Sequence, residues 1–333
     1  MPGRIMKLIP AIKDYLWGGD RLKTQLNQPG EASPMAESWV LSCHPDGESL
    51  IKEGDYAGQS LAACLNRNPS WAFKSHCYIK HFPVLVKLID AKQKLSVQVH
   101  PNNAYALLHE ISYGKTELWY IIDSDPGAFL YYGFKRKSSR EEVERRAADG
   151  SLEEILNAVP VRAGDVFFIE PGTVHAIGAG ILLAEVQQNS NITYRLYDYK
   201  RKSADGKPRE LHIKKALDVA ELSPPRREYG APREIKRADG ALITPLGACE
   251  WFETAVIKTA DVFENSAAKS SFHSLVCLDG AGTLSGGGQA VTLEKGESVF
   301  IPAGFGEYKI DGSVKILFTR WPQALSGRKR RVL

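Results

Sequence analysis

No two cysteines of this chain are spaced as a C-x-x-C pair, and their number is odd: Cys43, Cys64, Cys77, Cys249 and Cys277. That argues against a cysteine-built metal site and a paired disulfide framework, and for a reducing compartment. No apolar run reaches the length of a membrane span. The first twenty residues, MPGRIMKLIPAIKDYLWGGD, carry charges early and have no long apolar core of the kind a secretory leader needs. The expected location is therefore cytoplasmic, and the sequon Asn191-Ile192-Thr193 would meet no glycosylation machinery. An excess of one charge is also missing, since 43 Lys and Arg stand against 39 Asp and Glu. The basic tail GRKRRVL reads as a solvated terminus. No run of aromatics and arginines marks a nucleic-acid surface. Neither nucleic acid nor a membrane is an expected partner, and the oligomeric state is left open.

What is present is strand. The chain has 333 residues, too long for one typical domain and comfortable for two. Its 43% hydrophobic and 25% charged residues are ordinary for a globular protein, which at this size needs no staples. The runs HFPVLVKLIDA, KLSVQVH, ELWYIID, DVFFIE, ILLAEVQ and ITYRLYDY are rich in β-branched and aromatic residues and are separated by Gly, Pro, Asn and Asp. A helix is expected over 59–68, with Ser60 as its N-cap. A helical insert is expected at about 135–159, with capping boxes at Ser139-x-x-Glu142 and Ser151-x-x-Glu154. In its second helix Leu152, Ile155, Leu156 and Val159 would form the apolar face. The later part of the polar stretch 200–239 reads as a connector, after which strand patterns resume. A weak repeat links the halves: GDVFFIEPG at 164–172 and GESVFIPAG at 296–304 both run from glycine and acid through an apolar stretch to a Pro/Gly turn. The fold class expected is mainly β, with two β-units whose closure into barrels would remove exposed edges.

The stretch KLSVQVHPNNAYA, residues 94–106, poses the functional question. Leu95, Val97 and Val99 alternate with Ser96, Gln98 and His100, the period of a strand. Gln98 and His100 then share a face and can grip one small object, although an ordinary half-exposed edge strand would show the same pattern. Further on, Lys115, Glu117 and Trp119 share one strand face, a Pro-Gly turn precedes His175, and Glu185 is followed by Arg195 on the next strand. Two imidazoles, a carboxylate and an amide oxygen from Gln98, His100, Glu117 and His175 would suit zinc. With no thiolate in the set, iron or manganese also fits. Singly, each residue has an everyday reading: His175 as a loop residue beside its turn, Glu117 as the partner of Lys115.

Together the motifs carry a resemblance. GDVFFIEPGTVHAIG is similar to the second cupin motif. LSVQVHPNN, GKTELWYII, GTVHAIG and EVQQNSNITYRLYDY, with YLWGG and AESW near the start, resemble the short bacterial form of type I mannose-6-phosphate isomerase. The likeness runs to about residue 215. It implies two cupin-type jelly-roll barrels: a catalytic unit at 1–235 carrying the helical insert, and a degenerate unit at 240–325. It implies one zinc ion per chain held by Gln98, His100, Glu117 and His175. It implies Arg195 as the active-site arginine, with Lys115 and Glu185 matching further family positions. Two departures are visible. The proline of Glu170-Pro171-Gly172 is shifted by one from the usual Pro-x-Gly, and the second unit has Glu307 where the histidine would stand.

The activity implied is interconversion of mannose 6-phosphate and fructose 6-phosphate, a proton transfer between C2 and C1 through a cis-enediol. A metal ion would polarise the carbonyl and orient the open chain, Arg195 would stabilise developing negative charge, and the base is Glu185 or Lys115. Lys87 is a candidate for the substrate phosphate, its alternative being a strand-end lysine snorkelling from the core. Two rivals stand. A metal-dependent cupin oxygenase would want an H-x-H opening rather than Gln98-x-His100. A non-catalytic sugar-phosphate-binding cupin would have no need of Lys115, Glu185 and Arg195 beside the ligands.

Overall fold

The apolar runs become strands, and most have both faces covered. A computed structural model of the protein describes residues 3–73, 82–202 and 206–322; Cys77 and the basic tail at 327–333 lie outside the described residues. In the first unit a six-stranded antiparallel sheet faces a five-stranded one. The six-stranded sheet contains Glu37–Leu41, Val84–Ala91, Glu117–Ser124, Val166–Ile169 and Ile181–Gln188. The five-stranded sheet contains Val97–Val99, Phe129–Phe134, Leu156–Pro160, His175–Ala176 and Tyr194–Tyr197. Between them lies a core of Ile89, Trp119, Ile121, Leu130, Tyr132, Phe167 and Leu183. This is the expected mainly β, cupin-type architecture.

The strand period of two decides which residues enter that interior. On Glu117–Ser124, Trp119 and Ile121 point into it, while Leu118 and Tyr120 join a second core with Val86, Leu88 and Phe168. That second core cements the two units, because Phe252, Val256, Phe272, Phe300 and Leu317 of the later chain belong to it. On Val97–Val99 the valines pack outward, under helices Arg140–Asp149 and Ile213–Val219 through Val143, Ala147, Ala216 and Leu217. Gln98 and His100 are thereby left to the opposite, inner face.

The second unit is one ten-stranded sheet around its own core of Phe263, Leu275, Leu284, Val299, Ile310 and Ile316. Two long strands, His273–Gly286 and Gly306–Arg320, form its spine. The runs SFHSLVCLDG and AGTLSGGG are thus one strand, with a register shift between Cys277 and Asp279. Gly280 follows it at φ +78°, where a Cβ would sit 2.0 Å from the carbonyl oxygen of Ser313. Only glycine fits there.

The structure corrects two expectations. The boundaries 1–235 and 240–325 fail at the amino terminus, since Met6–Ile9 pairs with Ser298–Ile301 and with Leu50–Ile51 inside the second sheet. The tie is electrostatic as well, with Lys7 Nζ 2.6 Å from Glu297 Oε1. The insert at 135–159 holds one helix, not two. Ser139 accepts from the Glu142 amide and Gly150 closes that helix at φ +95°. Ser151 makes no cap, residues Leu152–Ile155 form a single 3-10 turn, and Leu156–Pro160 pairs with Phe129–Phe134. Here the free edge of a strand outcompetes a short helix. After His100 the chain enters a helix directly: Asn102 accepts from the Tyr105 amide and caps Asn103–His109. The helix expected at 59–68 is present as Leu61–Arg67, with Ser60 accepting from the Ala63 amide.

His273 is buried in the second unit, its Nδ1 2.9 Å from the Tyr308 hydroxyl. Burial, and then Arg320, push its pKa down to about 3. The native state therefore keeps His273 neutral, whereas the unfolded chain protonates it below about pH 6.5. Its contribution is complete above pH 6.5 and is lost as the pH falls from there toward 3. Urea unfolding at pH 7 and pH 5 should show His273→Gln losing about 2 kcal/mol less than the wild type over that interval. Equal losses in the two proteins would refute this account.

Candidate metal centre

Register brings the site together. Gln98 lies opposite His175 on one side and opposite Arg195 on the other. On the facing sheet Glu117 is opposite Gln187, and Glu185 is opposite both Trp119 and Lys87. His175 owes its place to the turn before it. Thr173 N donates to Glu170 O at 3.0 Å, and Gly172 takes φ +91°. Proline followed by glycine at the two central positions suits a type II turn, so the shifted proline is accommodated. The Gly172 amide then donates to His100 O at 2.9 Å, linking the two histidine segments.

The ligating atoms of His100, Glu117 and His175 all lie within 4.8 Å of one another, and all three residues are buried. His100 Nε2 is 3.3 Å from Glu117 Oε1, and His175 Nε2 is 3.7 Å from Glu117 Oε2. Each imidazole spends its other nitrogen on a carbonyl: His100 Nδ1 on Ile192 O and His175 Nδ1 on Thr173 O, both at 2.8 Å. A carbonyl only accepts, so Nδ1 carries the hydrogen and the Nε2 lone pair faces the cluster. Gln98 Nε2 lies 3.4 Å from His175 Nε2. Rotating that amide by half a turn presents its oxygen instead.

The protonation states fit a cation. Burial first, then Lys115, lower the pKa of His100. Burial and the neighbouring His100 push His175 down to about 3. Burial would raise Glu117, but Lys115 and His100 outweigh it and hold that carboxyl well below its usual range. Two neutral imidazoles and a carboxylate are the ligating forms of these groups. His100 Nε2 and Glu117 Oε2 are buried without a hydrogen-bond partner, while Glu117 Oε1 meets the Lys115 ammonium. Orphaned acceptors of this kind are costly unless something positive stands among them. The residues thus fit a divalent ion of the zinc, iron or manganese type.

Around the cluster are the other expected residues. The Lys115 ammonium is ion-paired with Glu117 Oε1. Glu185 is buried; Trp119 Nε1 donates to its Oε2 at 2.8 Å, while its Oε1 accepts no hydrogen bond. Burial and then Glu117 raise its pKa, against the pull of Lys87 and Lys115. Arg195 is partly buried, its Nη1 donates to Glu210 O at 2.7 Å, and its Nε has no partner. Lys87 is not where a phosphate could meet it. It is 3% exposed, with Nζ 3.3 Å from Glu185 Oε1 and 3.6 Å from Glu37 Oε2. Burial would lower its pKa, but Glu37 and Glu185 more than reverse this. Its charge is already balanced by two carboxylates, which is the reason to drop it as the phosphate anchor. The sequence reading placed Trp119 on the strand face of Lys115 and Glu117 without giving it a role, and it did not single out Glu37 or Trp39. Trp39 Nε1 donates to Glu37 Oε2 at 2.7 Å and its ring lies 4.9 Å from Lys87 Nζ. The one signal for them was AESW, quoted only for its likeness and not for what it would touch.

The fold and these groups define a two-unit cupin-type protein with a buried histidine–carboxylate cluster that could hold a metal ion. Residues 5–119 match the family model for the phosphomannose isomerase type I catalytic domain, and 243–320 that for the mannose-6-phosphate isomerase cupin domain. The chain is 38% identical over 312 residues to the mannose-6-phosphate isomerase ManA of Bacillus subtilis, covering 91% of this chain and 94% of that one. It is 36% identical to a mannose-6-phosphate isomerase of Streptococcus mutans, over 91% and 93%. The crystal structure of a mannose 6-phosphate isomerase from Bacillus subtilis superimposes with a TM-score of 0.86 at 31% identity, covering 95% of this chain and 99% of that one. The chain belongs to the type I mannose-6-phosphate isomerase family.

Proposed function

We propose that the protein interconverts mannose 6-phosphate and fructose 6-phosphate, with one zinc ion per chain held by Gln98, His100, Glu117 and His175. The observation that carries this reading is the convergence, inside one barrel, of the metal-ligating atoms of His100, Glu117 and His175 with the buried Glu185 carboxylate and a guanidinium N–H on Arg195 that has no partner. The bound ion would polarise the oxygens on C1 and C2 of the open-chain sugar. The Glu185 carboxylate takes the proton from C2. The C–H electron pair becomes the C1–C2 double bond, and the carbonyl electrons move to the oxygen on C1. The hydroxyl proton on the C2 oxygen passes to the oxygen on C1, and returning the abstracted proton to C1 then leaves the carbonyl on C2 and gives the ketose, so atoms and electrons balance with no oxidant. Burial suits Glu185 to the task, since a raised pKa lets it hold a proton between the two steps. Lys115, paired to Glu117, is the weaker base candidate and acts in this reading as a fixed positive charge beside the ligand. Arg195 lies beside Gln98 and stabilises the enediolate oxygen without competing for the proton. Cytoplasmic location accords with a small phosphorylated substrate, and among the described residues no helix is long and apolar enough to cross a membrane.

A coupled assay on purified protein tests the reading. Chelation should abolish mannose 6-phosphate turnover and stoichiometric zinc should restore it. Full turnover by protein verified as metal-free would remove the metal from the mechanism. Oxygen consumption, or sugar-phosphate binding without turnover, would replace the isomerase with one of its two rivals.

A further inference from the structure

Two buried indoles each spend their N–H on a carboxylate beside Lys87: Trp39 on Glu37 at 2.7 Å and Trp119 on Glu185 at 2.8 Å. We propose that Trp119 is a positioning residue, whose indole N–H binds one oxygen of Glu185 and so fixes the other as the atom that takes and returns the proton. The inference rests on Glu185 being the base.

A carboxylate free to turn about its last bond offers two equivalent oxygens in a broad range of directions. Glu185 has lost that freedom. Its Oε2 is held by Trp119, which lies directly across the strand pair, so the reach is set by backbone register and not by a mobile loop. Its Oε1 is buried and is ion-paired with Lys87 Nζ at 3.3 Å. Trp119 is itself immobile. It is fully buried, and its ring meets that of His175 edge-on at 5.3 Å with an interplanar angle of 79°. One rigid side chain therefore touches a proposed ligand with its ring and the proposed base with its N–H. Proton transfer falls off steeply when donor and acceptor are misplaced by even an ångström. A buried tryptophan commonly finds some acceptor; what sets this one apart is that it occupies one oxygen of the carboxylate and leaves the other to face the Lys87 ammonium alone.

The test removes the N–H alone. Replacing Trp119 with 3-benzothienylalanine keeps both rings and exchanges N–H for sulfur; Trp119→Phe is the simpler companion. With zinc content verified as normal, the isostere should lower kcat about tenfold to a hundredfold, the usual cost of losing a supporting hydrogen bond at such a site. KM should stay within about twofold. In a Glu185→Gln background the same replacement should change kcat little, because both act through one group. Wild-type kcat in the isostere overturns the inference, even where Trp119→Phe is impaired, since Trp119 would then act by packing alone. Near wild-type turnover in Glu185→Gln with Trp119 intact overturns the base assignment, and this inference with it. Loss in Glu185→Gln beside an unaffected isostere leaves the base standing and removes only the positioning role.

Discussion

Replacing His175 with alanine should cost the protein its bound metal and about a thousandfold or more of its turnover. A metal that polarises a carbonyl supplies several kcal/mol of transition-state stabilisation, and about 4 kcal/mol corresponds to a thousandfold in rate. His175 is one of only two imidazoles in the cluster, its Nε2 is 3.7 Å from Glu117 Oε2, and its tautomer is fixed by the Thr173 carbonyl. His100→Ala should behave alike, because His100 is fixed in the same way by Ile192 O. Both variants should still fold, since the cores between sheets and between units are built without either residue. Elemental analysis of both purified variants is the check. Full metal occupancy in the two would end the assignment of these residues as ligands, whatever their activity.

Much of the site was legible because strands have a period of two. Gln98 and His100 had to share a face, and so did Lys115, Glu117 and Trp119; the structure places these faces toward one interior. The valines on either side of Gln98 answer the question of the edge strand. Both faces of Val97–Val99 are covered, one by helices and one by the opposite sheet. What the sequence did not reveal depends on register between distant strands. Lys87 read as a free cation because nothing local shows that Glu37 and Glu185 flank it. The indole bonds of Trp39 and Trp119 were hidden for the same reason. The missed strand at Leu156–Pro160 and the amino-terminal strand in the second sheet are also pairings over long separations. Local periodicity announces an element; it does not announce the edge that will capture it.

Arg195→Ala should lower kcat by a hundredfold or more while raising KM much less. The argument lies in where the guanidinium is held. Arg195 stands opposite Gln98 in the register, so it borders the metal cluster. One of its N–H groups is spent on Glu210 O at 2.7 Å, and its buried Nε has no partner. A buried donor without an acceptor costs free energy in the resting protein and regains it when an acceptor arrives. In an isomerase the strongest acceptor is the enediolate oxygen, which exists only at and near the transition state. The interaction is then stronger there than with the bound sugar, and its loss appears in kcat. A hundredfold is the usual cost of deleting one such stabiliser. Arg201 and Arg209 do not stand in for it, because both are bound to Asp198, Arg209 at 2.6 and 2.7 Å. Arg195→Lys should recover only part of the loss, since an ammonium cannot reproduce the planar fork held against the Glu210 carbonyl. Zinc content should stay normal in both variants, because Arg195 is no ligand in this reading. Turnover is to be measured at verified metal occupancy. A kcat near wild type with a large rise in KM would make Arg195 an anchor for the substrate's phosphate and take away its part in the proton transfer.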